Sequence, residues 1–138
     1  MTLTDKKLLA EFAQLKFCEL CRRPAIDLET HHAASFRGMG GATRLDIRWN
    51  LIRLCGRFTN DCHDKAQRGT SGYRKADICA VIAKREGCQA DDIVNAVYVV
   101  RRFRNDATDA VIERQLDGQS EAVKRLVWNL VEKVRAAE

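Results

Sequence analysis

Apolar residues recur at helical spacing at both ends of the chain and lose that rhythm in the middle. Near the start, Leu8, Leu9, Phe12 and Leu15 fall on one face behind Thr4, an N-cap type of residue, which predicts a short amphipathic helix within residues 4–15. From about residue 75 four apolar stripes predict four helices. Ile78, Val81 and Ile82 form the first, which stops at Gly87. Ile93, Val97 and Val100 form the second, opened by Asp91 and Asp92, whose carboxylates favour a helix start. Val111, Ile112 and Leu116 form the third, ending at Asp117-Gly118. Val123, Leu126, Val127, Leu130, Val131 and Val134 form the last, behind Ser120 as N-cap.

Residues 17–73 carry no long periodic pattern, yet hold four of the six cysteines, all three histidines, six of the eight glycines and the only proline. Such a segment is too poor in core to hold itself without a staple. Within it, the β-branched and aromatic run of residues 45–54 predicts a strand leading into Cys55, and Cys62–Arg68, between Asp61 as N-cap and Gly69 as stop, predicts a short helix. The fold class expected is α+β, mostly helical: a leading helix (1–16), a small stapled core (17–74) and a bundle of about four helices (75–138) that packs on or extends it. The 138 residues, 46% hydrophobic and 31% charged, suit one globular domain. The most apolar uncharged run, 93–100, is far shorter than the roughly 20 residues of a spanning helix. With no export segment read at the N-terminus, a cytosolic protein with reduced thiols and no membrane partner is expected.

Reduced cysteines are metal ligands or buried apolar groups, and spacing separates the two uses. Cys18 and Cys21 form a CxxC, and Cys55 and Cys62 a second arm with six residues between them. Two such arms can complete the four-thiolate shell that structural zinc prefers. Cys79 and Cys88 have no such partners and are read as buried thiols. On the predicted short helix, Cys62 and His63 are separated by about 100° of rotation, so Cys62 can face the zinc while His63 serves a second site. Charge sharpens the picture: residues 16–75 hold 12 Lys/Arg against 6 Asp/Glu, a net +6, so the whole formal excess of +5 lies on the cysteine- and histidine-bearing segment. A polyanionic partner is expected there.

Cys18-x2-Cys21, His31-His32, Gly40-Gly41, Trp49-Asn50-Leu51-Ile52, Leu54-Cys55 and Cys62-His63 together resemble the HNH endonuclease family, in particular the small nucleases encoded by bacteriophages and prophages. The resemblance spans about residues 17–69. It implies a ββα-metal, treble-clef-like zinc-stapled nuclease core and a DNA substrate. It further implies His31 and His63 as ligands of a catalytic divalent ion, His32 as general base, and Asn50 as the asparagine that braces the loop bearing the base. The chemistry asks for such types: phosphodiester hydrolysis needs a base that is neutral near pH 7 and a cation to offset charge on the phosphate and the departing O3′. Adjacent residues of an extended segment point apart, so one histidine can hold the ion while the other addresses water.

Where many family members place a third histidine, one turn after His63, this chain has Gln67. A shell with two protein ligands, filled out by water and phosphate oxygens, suits an oxygen-loving ion such as Mg2+ or Mn2+ better than tightly held zinc. Asp64 is a minor candidate for an outer-shell group. Gly38, Gly40 and Gly41 suit a hairpin turn. Arg37, Arg44, Arg48, Arg53, Arg57 and Arg68 are the candidate phosphate contacts. The helical half could extend a DNA footprint, pack on the core, or make a homodimer. Its first two helices have the outline of a helix-turn-helix, although Arg101, Arg102 and Arg104 read better as complementing a helix C-terminus. The competing functions are a non-catalytic zinc module that binds nucleic acid or protein, and a repressor built on the helical half.

Overall fold

The computed structural model describes residues 1–33 and 44–137. The Gly38, Gly40 and Gly41 turn and the Arg37 phosphate contact lie outside the described residues. The chain is α+β and mostly helical: α1 Lys6–Phe12, β1 Leu28–His32, β2 Leu51–Cys55, α2 Cys62–Arg68, α3 Lys75–Glu86, α4 Ala90–Val100, α5 Asp109–Leu116 and α6 Glu121–Ala136. The two strands form one antiparallel sheet. No helix among the described residues is long and apolar enough to cross a membrane.

The helix ends follow local chemistry. Asp92 accepts from the Gln89 amide at 3.1 Å, closing the first turn of α4, and Ser120 accepts from the Val123 amide at 3.2 Å at the start of α6. The Ser120 hydroxyl also donates to Asp92 at 3.0 Å, which ties those two helix starts together. Gly87 ends α3 at a φ of +75°, a conformation that costs glycine little. At the N-terminus the cap is Asp5, not Thr4: the Asp5 carboxylate accepts from the Leu8 amide at 3.0 Å, and α1 begins at Lys6.

The strand expected over 45–54 is shorter, Leu51–Cys55. Residues 44–46 leave the hairpin to pair with Leu3, whose amide donates to Arg44 O at 2.8 Å and whose carbonyl accepts from Asp46 N at 2.9 Å. A 3-10 turn, Arg48–Asn50, then redirects the chain into β2. In the sheet His31 pairs with Ile52 and His32 with Leu51. Residues opposite one another share a face, so the two histidines stand on opposite faces. Leu51 packs with Leu8 and Phe12 of α1, whereas Ile52 and Leu54 join the main core.

That core is continuous from the cysteine-bearing segment into the helices, running from Cys18, Leu54, Cys55 and Cys62 through Ile78 and Ile82 to Val97, Val127 and Leu130. Arg85 of α3 fastens the join with polar bonds. It donates to the buried Glu19 carboxylate at 2.7 Å and to Leu51 O at 2.9 Å, and Glu19 also accepts from the Arg53 amide at 2.9 Å.

Candidate functional site

Four cysteines meet between the two strands' ends and the start of α2. The Sγ atoms of Cys18, Cys21, Cys55 and Cys62 all lie within 4.8 Å of one another, with Cys21 and Cys55 at 3.9 Å. A tetrahedral zinc with bonds near 2.3 Å has sulfur–sulfur edges of about 3.8 Å. The four side chains could therefore hold a metal ion, and four thiolates suit zinc.

The first arm is a tight knuckle. Cys18 N donates to Arg23 O at 2.9 Å, Arg22 N to Cys18 O at 2.8 Å, and Arg22 turns the chain at a φ of +67°. The second arm owes its six-residue gap to Asp27, which receives Gly56 N at 2.9 Å on its carbonyl and Phe58 N at 2.9 Å and Thr59 Oγ1 at 2.8 Å on its carboxylate. A Cβ at Gly56 would stand 3.1 Å from the Asp27 carboxylate and 3.2 Å from its carbonyl oxygen, a tight approach that a larger residue could make only if Asp27 gave by a few tenths of an ångström. Cys62 is the first residue of α2, as the spacing predicts, although Asp61 makes no side-chain cap bond and sits at a φ of +54°. Burial pushes the Cys62 thiol up, and charge on neighbouring Cys18 adds to this. A bound cation is what would make several thiolates tolerable there. Cys79, buried in the core, is pushed up to about 11 by burial, and Cys88 packs at the edge of the same cluster, both as apolar thiols.

His31 of β1 and His63 of α2 come together beside this cluster, ring centroids 5.2 Å apart and edge to face. His63 Nδ1 lies 2.8 Å from a Glu29 carboxylate oxygen, leaving Nε2 as its outward nitrogen. A carboxylate on the far ring nitrogen is the arrangement that orients a metal-binding imidazole. The Gln67 amide approaches His63 Nε2 at 3.4 Å. Burial, with positive charge on His63, His32 and Lys75 around it, pushes His31 down to about 4. Its ring is therefore neutral at pH 7, with a lone pair available to a cation.

This shift sets a pH dependence. Unfolded His31 takes up its proton near pH 6.5 and folded His31 near 4, so between those values the unfolded state binds more protons and stability rises with pH. The stability is complete above about pH 6.5 and lost as pH falls towards 4. The loss is at most about 3 kcal/mol, less the part that solvent screens around a half-buried ring. Urea midpoints in buffer free of Mg2+ and Mn2+ are expected to fall over this window in the wild type and to fall less in His31→Gln. Parallel curves for the two proteins would contradict the shift.

His32, on the other face, has its Nε2 2.7 Å from Asp46 Oδ1, and Asp46 is fully buried. Asp46 also receives the Asp5 amide at 2.9 Å and Arg44 at 3.3 and 3.4 Å. Burial alone would push the Asp46 carboxyl up, but these bonds outweigh it and hold it below the usual carboxylate range. Asn50 is buried too. Its Nδ2 donates to Leu45 O at 2.8 Å, and its carbonyl receives Ala33 N at 2.9 Å, so it ties the residue after β1 to the segment that carries Asp46.

The arginines divide. Arg48 pairs with Glu86 at 2.9 Å, and Arg68 with Asp64, the minor outer-shell candidate, at 2.8 Å. Arg44 serves Asp46, Arg53 donates to Thr30 at 3.2 Å, and Arg57 stacks on the exposed Phe58 ring with its guanidinium carbon 4.9 Å from the ring centroid. In the helical half, Arg101 and Arg102 both stack on Tyr98.

Sequence reasoning did not find Asp46, Glu29 or Lys75. Asp46 lies between Leu45 and Ile47, a context that reads as an outward polar residue of a strand, and only the pairing with Leu3 turns it inward. Compared with family models, curated proteins and solved structures, the chain matches none.

Proposed function

We propose that the chain is a metal-dependent endonuclease of the HNH type that hydrolyses DNA phosphodiester bonds, built on a ββα-metal core stapled by zinc on Cys18, Cys21, Cys55 and Cys62. The carrying observation is the meeting of His31 and His63, rings 5.2 Å apart, with His32 next along the strand and held by a buried carboxylate. Neither the charge balance nor the zinc cluster alone would call for three histidines in that relation.

In this reading His31 and His63 bind a divalent ion, Mg2+ or Mn2+. When bound, the ion offsets charge on the phosphate and on the departing O3′. His32 takes the proton from the attacking water. Glu29 orients the His63 ring, and Asn50 fixes the chain around the base. Arg44, Arg53 and Arg57, on the segment of net positive charge, are the arginines best placed to meet DNA phosphates.

The test is supercoiled plasmid incubated with the zinc-loaded protein and Mg2+ or Mn2+. Nicked or linear product with 5′-phosphate and 3′-hydroxyl ends is expected. A protein that retards DNA but leaves it intact under every divalent ion tried would overturn catalysis, and would favour a zinc-bearing interaction module on the same scaffold.

A further inference from the structure

We propose that Asp46 is the positioning residue of His32, fixing it as the Nε2–H tautomer so that Nδ1 is the ring atom left to accept a proton from water. The proposal rests on the nuclease reading for its catalytic consequence, while the tautomer itself can be read without any activity.

The geometry of the carboxylate carries the argument. Oδ1 of Asp46 faces His32 Nε2 at 2.7 Å and Arg44 Nε at 3.3 Å. Oδ2 faces the Asp5 amide at 2.9 Å and Arg44 Nη2 at 3.4 Å. Among the described residues every other partner of the carboxylate, the Asp5 amide and the Arg44 guanidinium, is an obligate donor, so the carboxylate is arranged as an acceptor and the hydrogen in the bond to His32 belongs to the imidazole.

The carboxylate is also fixed in place. Asp46, Leu45 and Ile47 are all buried, and Leu45 pairs with Leu3 while its carbonyl takes the Asn50 amide. Asn50 in turn holds Ala33, the residue after His32, through its own carbonyl. The loop is closed: Asn50 sets the distance between His32 and Asp46, and the Asp5 amide at the start of α1 sets the carboxylate's orientation.

A lone pair of the water oxygen forms the bond to phosphorus as its proton passes to His32 Nδ1, the P–O3′ bond breaks, and O3′ takes a proton from solvent. The imidazolium so formed keeps Nε2–H on Asp46, whose negative charge stabilises it.

Two measurements test the assignment. Long-range 1H–15N correlation spectra of the zinc-loaded wild-type protein are expected to show His32 protonated on Nε2 and bare on Nδ1; a ring protonated on Nδ1 overturns the proposal whether or not DNA is cut. In plasmid cleavage, Asp46→Ala is expected to lower kcat on the order of a hundredfold with KM nearly unchanged. Added formate, which fits the vacated carboxylate site, should restore part of that loss in Asp46→Ala and none in His32→Ala. Unchanged kcat in folded Asp46→Ala overturns the positioning role while leaving the nuclease in place. A wild type that binds DNA, cuts none and still shows the Nε2–H ring fails the nuclease reading and keeps the tautomer. Should Asp46→Ala not fold, the wild-type spectrum decides.

Discussion

Cys62→Ser is expected to cost the protein its metal and its fold together. Cys62 is fully buried, opens α2, and belongs to the same apolar cluster as Ile78 and Ile82 of α3. Losing one of four ligands leaves three thiols, those of Cys18 and Cys55 buried, with no cation to balance them, and the knuckle of residues 17–24 and the loop of residues 56–61 lose the point at which they meet. A structural zinc contributes on the order of 10 kcal/mol to a small site, against a total stability of about 5–15 kcal/mol for an ordinary domain. Because the core continues from Cys18 and Cys55 into the helical half, the helices should melt with the cysteine-bearing segment rather than survive it. Metal analysis should find one zinc per wild-type chain, a cobalt-loaded sample should show the absorption of four thiolates, and chelation or Cys62→Ser should collapse the far-UV dichroism and the urea midpoint. Cys79→Ala is the control: it removes a thiol from the same core, keeps the zinc, and should cost about 1 kcal/mol. A metal-free wild type with an unaltered midpoint would show that packing alone holds the segment.

The contrast between Cys62 and Cys79 also shows what a sequence can disclose. The two arms were legible because thiolate geometry demands short spacing, and the four C-terminal helices because periodicity and end residues such as Gly87 and Ser120 agree. The wide second arm was legible as an anomaly only. Its cause, the Asp27 carboxylate gathering Phe58 and Thr59, is a contact across the chain. The same limit explains the overlong strand: residues 45–47 alternate apolar and polar as a strand does, but the bridge partner of Leu45 is Leu3. It explains the arginines as well. Counting charges located the positive segment, yet whether Arg48 meets phosphate or Glu86 is decided by where α3 packs. Asp46 was out of reach for this reason, since nothing local distinguishes a buried acceptor from a surface acid.

His32→Ala should abolish cleavage, and the way it does so separates the three histidines. General-base catalysis contributes about 10²–10⁴-fold, so kcat should fall by that factor while zinc content and melting stay at wild-type values. The fold tolerates the change because Asp46 keeps its bonds from the Asp5 amide and Arg44 when the imidazole is gone. His63→Ala should behave differently: it removes one of two protein ligands, so the Mn2+ concentration at half-maximal rate should rise, by at least about tenfold for a lost ligand, with part of the rate recovered at high metal. His31→Ala should match His63→Ala, since the two rings face each other across the sheet-helix junction and His32 stands on the opposite face. The informative quantity is therefore the metal titration, not the rate alone. If His32→Ala shifts the metal midpoint and His63→Ala does not, the base and ligand roles are exchanged. If all three variants shift it alike, the histidines act as one ligand set and Asp46 would be the group that orients a ligand rather than a base.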